Sequence, residues 1–387
     1  MRIYYICAAD ITNYDAQRTH VLEVAGEMHA AGEVITLFLP QFRDARESFA
    51  FPARYIPVIL KNSKLKFVEY EIRLLFVLLF ACLRRRPQIL YTRKGFLTLV
   101  PGVISRLLRI PSIIEVNGII ADEVKAGFGL PEGAVRLFAL FEKWSYRLSH
   151  RVVTVTEGLK TILQSRYRIP AERIVTIANG VNVTRFAPRQ IQENGEKIYL
   201  GFVGHLVPWA GVEYLIRALA AVRTHRPEVH GLIVGEGQLR PSLEALAQSL
   251  KLGEALTFTG KVSPEEVPHY INRCAICFVP AVRERNAQIG GSSLKLYEYM
   301  ACGKPVIVSD IPGLDVVARY EAGLVVEAEN VAALAKAALH LLENPELCCE
   351  MGRNARNTAL EHFSWRHTTE RILTLCRTLH GTQISQI

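Results

Sequence analysis

Short apolar strands alternate with segments of helical periodicity along most of the chain, and the alternation occurs in two separate runs. Strand and helix repeats of this kind are typical of parallel sheets wound by crossover helices. Between the runs, residues 188–197 (PRQIQENGEK) are polar and break the periodicity, as a linker between domains does. The sequence therefore predicts an α/β protein of two doubly wound, Rossmann-like domains facing each other across a cleft, with ligands at the carboxyl ends of the strands.

Each run supplies enough strands for a sheet of its own. The predicted strands of the first run are residues 2–8, 33–39, 88–91, 112–116, 151–155 and 174–177. Those of the second run are residues 198–203, 232–234, 256–258 and 276–279. A chain of 387 residues, half of them apolar, is long enough to bury two such cores. We predict a first domain over residues 1–187, a linker over 188–197 and a second domain over 198–365.

The segment 290–310 (GGSSLKLYEYMACGKPVIVSD) combines a tight turn, a helix start and a buried strand. Its two glycines permit close backbone approach, and either serine can cap the helix. Free N–H groups at the positive end of the helix dipole favour an anion. The residues predicted to bind that anion are Gly290, Gly291, Ser292, Ser293 and Leu294.

Lys295 and Glu298 fall on one face of the same helix. A lysine in the first turn opposes the helix dipole, and lysine before glutamate is the weaker order for a helical pair, so helix stability explains the pair poorly. A ligand explains it better, because a phosphate would bind Lys295 and the turn amides while Glu298 accepts both hydroxyls of a ribose. A solvated ion pair is the alternative. The segment predicts half of a nucleotide site.

The run SSLKLYEYMACGKPVIVSD resembles the donor-site helix of retaining glycosyltransferases of the GT-B fold, the glycogen-synthase-like family four, or group 1 glycosyltransferases. The family pattern reads glutamate, seven residues, glutamate; Glu298 matches the second glutamate, and Gly290 stands at the first. The run 179–182 (NGVN) resembles the family's hinge motif, and 363–365 (FSW) resembles the start of its last helix. The resemblance implies that residues 366–387 cross back to the first domain.

His205 follows a buried strand and Gly204, just before a loop that leads to the next helix. The family usually has arginine at the position of His205 and lysine at that of Ala210, and both contact the donor diphosphate. His205 still donates one or two hydrogen bonds, whereas Ala210 offers only backbone. Lys295 and His205 are therefore the predicted catalytic residues, with Gly204 beside them. A strand-end histidine bonded to a carbonyl is the alternative for His205.

Positive charge for a diphosphate is also available on the loop 282–289, which carries Arg283 and Arg285. We predict Arg283 as a donor-binding residue, with a solvated loop as the alternative. Glu236 lies between two glycines after another buried strand, at the place of the family's glycine-rich loop near the nucleotide. A lone Gly-x-Gly is a weak signal, and no Gly-x-Gly-x-x-Gly follows the first strand, which counts against a nicotinamide dehydrogenase.

Two strand ends of the first run are predicted to face the acceptor. The family often has a histidine facing the donor sugar at the position of Asn117, and asparagine can still bond a hydroxyl. The alternative for Asn117 is a local Asn-Gly turn that tolerates positive φ. Arg93 resembles a strand-end arginine of the family that could face an anionic acceptor, with a structural ion pair as the alternative.

The cysteine pattern, the N-terminus and the charge argue against several other classes of protein. The eight cysteines contain one Cys-x-x-Cys, Cys274 and Cys277, without a second half to complete a zinc site, so we predict reduced thiols packed in the core. The N-terminus fits a first strand better than a signal peptide. The formal net charge is +9, but the basic residues lack the interleaved aromatics of nucleic-acid binders, so no nucleic acid is expected.

The longest uncharged apolar run, residues 74–83, would span only about 15 Å as a helix, about half the thickness of a bilayer core. It lies between two basic groups, Lys61, Lys64 and Lys66 before it and Arg84, Arg85 and Arg86 after it. An anionic membrane surface is a predicted partner of residues 61–86. A helix buried between the sheet and its neighbours is the alternative.

The family resemblance implies transfer of a hexose from a nucleoside-diphosphate sugar to an acceptor hydroxyl, with retention at the anomeric carbon. Lys295, the glycine turn and His205 are predicted to stabilise the charge on the leaving diphosphate. No cofactor and no essential metal are expected. A lipid-linked or oligosaccharide acceptor, in surface polysaccharide or glycolipid synthesis, implies a cytoplasmic protein, peripheral on the inner face of the membrane. The alternatives are a non-catalytic sugar-nucleotide or membrane-binding subunit of a glycan assembly, and a sugar-nucleotide epimerase of the same fold.

Overall fold

Two parallel β-sheets, each in its own unit, form the framework of the chain. The computed structural model describes residues 1–13, 15–43, 46–63, 65–122, 132–191 and 197–384. Lys64 and the side chain of Arg285, both named above, lie outside this description. One unit contains Met1–Ala178 and the C-terminal segment from Trp365, and the other contains Asn179–Ser364.

The first unit has a seven-stranded parallel sheet with the order β3-β2-β1-β4-β5-β6-β7. Its strands are β1 (Arg2–Cys7), β2 (Val34–Gln41), β3 (Ala53–Pro57), β4 (Ile89–Arg93), β5 (Ser112–Val116), β6 (Arg151–Thr154) and β7 (Ile174–Thr176). Its described helices before the unit boundary are α1 (Ala16–Ala30), α2 (Lys66–Arg84), α3 (Val100–Leu108), α4 (Glu132–Leu148) and α5 (Glu157–Ser165). The central strands are buried on both faces, which is why most of their residues are apolar.

The second unit has a six-stranded parallel sheet with the order β10-β9-β8-β11-β12-β13. Its strands are β8 (Ile198–Val203), β9 (Val229–Val234), β10 (Leu256–Gly260), β11 (Cys274–Val279), β12 (Val306–Ser309) and β13 (Gly323–Val326). Its helices are α6 (Val212–Arg223), α7 (Arg240–Ser249), α8 (Val267–Arg273), α9 (Arg283–Ile289), α10 (Leu294–Ala301), α11 (Val316–Arg319), α12 (Val331–Glu343) and α13 (Pro345–His362). The last described helix is α14 (Trp365–Ile384), which belongs to the first unit.

Local capping explains where several helices begin. Asp15 accepts from the N–H of Arg18 at the start of α1, and Thr156 and Asn330 cap α5 and α12 in the same way. The start of α3 is capped from a distance, because the buried Glu71 carboxylate of α2 accepts the N–H groups of residues 98–100. Glu71 thereby fixes α2 against α3.

The predicted fold of two doubly wound, Rossmann-like units is confirmed, while the boundaries differ from the expected ones. The second unit begins at Asn179, not after the predicted linker 188–197. The reason is that Arg189 donates its N–H to the Asn272 side chain (2.9 Å), which itself donates to the carbonyl of Ala187 (3.0 Å), so the first part of that polar stretch is fixed to the second unit. Residues 192–196 lie outside the described part of the chain.

None of the helices described here is both long enough and apolar enough to cross a lipid bilayer. The cysteines Cys274 and Cys277 are buried and unpaired, and burial raises the pKa of Cys277 well above its ordinary value. Both thiols therefore act as core side chains of β11.

Candidate functional site

Two strand ends meet at the carboxyl edge of the second sheet. Gly204 follows β8 and donates its N–H to the carbonyl of Val234 in β9 (2.9 Å), and Leu206 donates to the carbonyl of Glu236 (2.9 Å). Gly235 has φ +132°, and a Cβ there would lie 2.0 Å from the oxygen of Gly204. Only glycine allows this close contact, so the two loops form one surface beside the start of α10.

Lys295 in the first turn of α10 reaches this surface. Its Nζ lies 4.2 Å from the centre of the Phe202 ring, a cation–π contact at the end of β8. A Cβ placed on Gly204 would lie 2.7 Å from Nζ, so a side chain at position 204 would displace the ammonium. The sequence predicted both Gly204 and Lys295 as site residues, and the fold brings them into contact.

Lys295 and Glu298 are half-buried charges that have no ion-pair or hydrogen-bond partner among the described residues. In the described part of the chain, neither side chain makes an ion pair or a hydrogen bond, although they are three residues apart on one helix. Burial lowers the pKa of Lys295 to about 8, opposed by Glu298. Burial raises the pKa of Glu298 to about 7, opposed by the positive charges of Arg185 and Lys295. Keeping two such charges without partners costs stability, which is typical of a ligand site.

The backbone at the start of α10 also has free donors. Ser293 occupies the N-cap position, but its side chain makes no capping hydrogen bond. The N–H groups of Ser293, Leu294 and Lys295 donate to no other described residue. They provide a place for an anion next to the ammonium of Lys295.

The two glycine amides of this turn are not free, contrary to the sequence prediction. Gly290 donates its N–H to Asn286 (2.8 Å) and thereby closes α9, and Gly291 donates to Pro312 (2.8 Å). A Cβ on Gly291 would lie 2.6 Å from the side chain of Leu314, so packing alone already requires glycine there. The amides that remain available to an anion are therefore those that follow the glycines.

Ser292 does not cap α10 either, because it binds the hinge motif. Asn179 donates its N–H to Ser292 Oγ (2.9 Å) and its side-chain amide to the Ser292 carbonyl (2.8 Å). The sequence identified both segments but gave no sign that they pair. In the same motif Asn182 accepts the N–H of Arg185 (3.0 Å), the residue whose charge acts on Glu298 and which the sequence analysis missed.

The remaining predicted donor residues have different surroundings. Arg283 forms an ion pair with Asp310 (2.5 Å), so its charge is already compensated. Glu236 forms an ion pair with Arg240, the first residue of α7. His205 is exposed, and its side chain forms no hydrogen bond within the described residues. Of these three, His205 is the one available to a ligand.

The first unit has a separate buried polar cluster around Glu115 at the end of β5. His20 Nε2 lies 2.8 Å from the carboxylate, and the Tyr91 hydroxyl and the Asn117 amide also donate to it. Burial acts to raise the pKa of Glu115, but His20, Arg93 and the Tyr91 hydroxyl together outweigh burial and lower the pKa to about 2. The amide of Asn117, a predicted acceptor residue, is thus held by Glu115, while buried Arg93 keeps its Nε without a hydrogen-bond partner in the described residues.

We expect this cluster to make the first unit sensitive to acid. Glu115 titrates at 4.5 when unfolded and at about 2 when folded, so it stabilises the folded state above pH 4.5, and this is lost as the pH falls towards 2. Glu115→Gln should lower the free energy of unfolding by about 3 kcal/mol at neutral pH, because the buried groups of His20, Tyr91 and Asn117 lose the carboxylate that they contact. Urea unfolding of both proteins at neutral and acid pH measures the difference.

The exposed Glu157, paired with Lys160 at 3.3 Å, provides the matched control. Glu157→Gln should change the free energy of unfolding by less than about 1 kcal/mol. A Glu115→Gln protein as stable as the wild type at neutral pH would contradict the assignment.

Among the described residues, no group of three or more His, Cys, Asp or Glu side chains is arranged to hold a metal ion.

Family models match both halves of the chain. The model for Glycosyltransferase Family 4 matches residues 17–185, and the model for Glycosyl transferases group 1 matches residues 183–358. The second match contains α10 with Lys295 and Glu298.

Curated proteins and solved structures show the same likeness. The chain is 30% identical over 217 residues to the GDP-mannose-dependent alpha-(1-6)-phosphatidylinositol monomannoside mannosyltransferase of Mycolicibacterium smegmatis, covering 53% of this chain and 56% of that protein. The chain spans little more than half, 56%, of the length of the first curated relatives it matches. Sucrose-phosphate synthase from Thermosynechococcus elongatus superimposes with a TM-score of 0.78 at 20% identity, covering 98% of this chain and 99% of the other. HepE of Anabaena in complex with UDP gives a TM-score of 0.74 at 16% identity, with 98% and 100% covered.

Two Rossmann-like units with parallel sheets, together with these structural likenesses, define a protein of the GT-B fold. The two family models together match residues 17–358. They support a group 1 glycosyltransferase similar to family four, as the α10 motif predicted.

Proposed function

We propose that this protein transfers a hexose from a nucleoside-diphosphate sugar to an acceptor hydroxyl, with retention at the anomeric carbon. One observation carries the proposal: Lys295 and Glu298 are half-buried, form no ion pair or hydrogen bond with the described residues, and lie beside the free amides at the start of α10. An ammonium with free N–H groups suits a diphosphate, and a carboxylate suits the two hydroxyls of a ribose. A nucleoside diphosphate satisfies both parts of this site.

The proposed chemistry depends on how well the site stabilises the leaving group. When the bond between the anomeric carbon and the diphosphate oxygen breaks, negative charge develops on the diphosphate. The Lys295 ammonium and the N–H groups of Ser293 and Leu294 are fixed before the reaction, so they stabilise that charge without reorganisation. His205 is proposed as a further donor to the diphosphate. The acceptor hydroxyl then attacks the same face of the sugar and gives its proton to the departing diphosphate oxygen, and no essential metal or other cofactor is proposed.

The nucleobase of the sugar donor and the identity of the acceptor can be determined directly. The mannosyltransferase relative is GDP-mannose-dependent by name, whereas HepE was solved with UDP, so guanosine and uridine nucleotides are the first donors to test. We propose a lipid-linked or oligosaccharide acceptor at the cytoplasmic face of a membrane, since the named relative acts on a phosphatidylinositol mannoside. Asn117 and Arg93 are proposed to face that acceptor.

A non-catalytic sugar-nucleotide-binding subunit is the second candidate. The family resemblance places cations at the positions of His205 and Ala210, and Arg283 was expected to replace part of that positive charge. The ion pair of Arg283 with Asp310 compensates its charge, which favours a non-catalytic subunit. Such a protein would bind a nucleotide sugar through the α10 site without turnover.

The experiment that tests the proposal offers uridine, guanosine and adenosine diphosphates and their hexoses to the protein. Binding is followed by calorimetry and thermal shift, and products are followed by mass spectrometry and proton NMR with a pool of lipid-linked and oligosaccharide acceptors. Transfer with an unchanged anomeric configuration is the expected result. Binding without transfer would support the subunit, an epimerised donor would support an epimerase, and no binding at all would overturn the proposal.

A further inference from the structure

Helix α2 has two apolar faces, of which only one is covered. Tyr70, Leu74 and Leu78 point into the core of the first unit and are buried. The opposite face carries exposed apolar side chains spaced three or four residues apart: Leu65, Val68, Ile72, Phe76, Phe80 and Leu83. Phe76 is 67% exposed and Phe80 61%. A helix that is apolar on both faces needs a second apolar neighbour.

The two helices beside α2 also carry exposed apolar side chains. α2 packs against α3 and α3 against α4, and Phe96 joins α2 to α4 through ring contacts with Phe67 (4.9 Å) and Phe138 (4.8 Å). Five exposed apolar side chains lie on these two helices: Val103, Leu107, Leu137, Leu140 and Trp144. We call the exposed apolar side chains of α2, α3 and α4 the three-helix face.

Positive charge gathers at one end of the three-helix face. Arg86 donates to the carbonyl of Leu108 (2.7 Å) and Arg106 to that of Leu148 (2.8 Å), so the carboxyl ends of the three helices lie together. Exposed arginines cluster at these ends: Arg84, Arg85, Arg86, Arg106, Arg109 and Arg147.

The acidic residues of these helices do not offset that charge. Glu71 and Glu142 are buried, and each accepts backbone N–H groups at a helix start. Glu69 pairs with Arg73 at 2.7 Å, and Glu132 pairs with Arg136 at 3.6 Å. The described part of the three helices therefore presents arginines without acidic partners beside its apolar residues.

We propose that the three-helix face docks on an anionic lipid bilayer, with its apolar side chains among the acyl chains and its arginines on the headgroups. Exposed apolar area next to basic residues without acidic partners is the combination that anionic bilayers bind. A second copy of this chain would bring the same basic residues, and like charges oppose such contacts. The charge of the face thus favours lipid over a copy of itself.

This docking goes beyond the proposed sugar transfer, because it depends on surface residues of the first unit and not on the α10 site. It would bring the protein to a lipid-linked acceptor by restricting it to the membrane surface. The two proposals can fail independently. A protein that binds vesicles without transferring sugar contradicts only the proposed transfer, and one that transfers sugar without binding vesicles contradicts only the docking.

Co-sedimentation with vesicles of phosphatidylcholine alone, or of phosphatidylcholine and phosphatidylglycerol in equal amounts, tests the inference. The wild type should bind the mixed vesicles and lose binding as salt is added. The double variant Phe76→Ser and Phe80→Ser should bind about tenfold or more weakly. Arg84→Gln with Arg85→Gln should weaken binding to the mixed vesicles by roughly fivefold per residue.

Leu360→Ser, at an exposed leucine in the second unit, is the matched control and should bind vesicles as the wild type does. Thermal unfolding and nucleotide binding should be unchanged in all variants, because the substituted side chains are exposed and lie outside the α10 site. Equal vesicle binding by the phenylalanine variant and the wild type would overturn the inference. So would a wild type that binds neither vesicle, or a lipid-free dimer that is lost in the phenylalanine variant.

Discussion

Replacing Glu298 by alanine is expected to weaken the binding of the nucleoside diphosphate by about 100-fold. The loss corresponds to two hydrogen bonds from ribose hydroxyls to a carboxylate, each worth roughly 1.5 kcal/mol or more. No described residue forms a hydrogen bond or ion pair with the Glu298 side chain, so none is lost with it. Calorimetric titration of the best nucleotide from the screen, with wild type and Glu298→Ala, measures the effect.

The pH dependence of binding gives the same assignment a second test. Burial raises the pKa of Glu298 to about 7, so affinity should fall as the pH drops through that value and the carboxylate takes up a proton. The Glu298→Gln protein should bind weakly at every pH. Glu343→Ala, at an exposed glutamate of α12 in the same unit, should bind as the wild type does. Unchanged affinity in Glu298→Ala would exclude ribose recognition by this residue.

A measurement of stability distinguishes a specific loss of nucleotide binding in Glu298→Ala from misfolding. The pKa of Glu298 in the folded state, about 7, lies above its ordinary value of 4.5. Between pH 4.5 and 7 the folded state therefore binds a proton that the unfolded state does not. Above pH 7 the ionised carboxylate lowers the free energy of unfolding. Glu298→Ala should therefore keep or increase the free energy of unfolding at pH 8. A large loss of stability would mean that the side chain has a structural role.

Replacing Lys295 by alanine is expected to lower kcat by about 100-fold to 1,000-fold, which is the usual cost of removing one preorganised donor to a developing negative charge. The affinity for the bare nucleoside should change little, because the ammonium is proposed to bind the diphosphate and not the ribose. Steady-state kinetics with the identified donor, together with nucleoside titrations, separates these effects. Lys336→Ala, at an exposed lysine of α12, should retain full activity.

The shifted pKa values of Glu298 and Lys295 predict a narrow pH optimum for kcat/KM. Activity should fall below about pH 7 as Glu298 becomes protonated, and above about pH 8 as Lys295 loses its proton. The alkaline limb should be absent in Lys295→Ala. An alkaline limb that persists in this variant, or a variant with full kcat, would remove Lys295 from the chemistry.

The fold was predictable from the sequence because central strands of parallel sheets are buried on both faces and appear as short apolar runs. The strand β3 was missed, since an edge strand with Arg54 and two prolines nearby carries little apolar pattern. The strand β13 was missed as well, because its four residues are only partly buried. The unit boundary was placed too late, since polar composition does not reveal that Asn272 holds the backbone at Arg189.

The core of the candidate site was also predictable, because the unfavourable order of Lys295 and Glu298 on one helix is a local property. Its surroundings depend on residues far away in the sequence. The ion pair of Arg283 with Asp310 and the hydrogen bond of Gly291 to Pro312 join separate loops, and no local pattern indicates them. The influence of Arg185 on Glu298 exists only because the hinge motif packs beside α10.

The position of Lys295 against the Phe202 ring has a chemical consequence beyond charge. An amine with a pKa of about 8 is partly neutral near physiological pH, and the neutral amine is a nucleophile. Exposed lysines remain almost fully protonated under the same conditions. A nucleotide analogue carrying an aldehyde or activated ester at its diphosphate end would therefore be captured covalently at this residue, which offers a starting point for selective inhibitors.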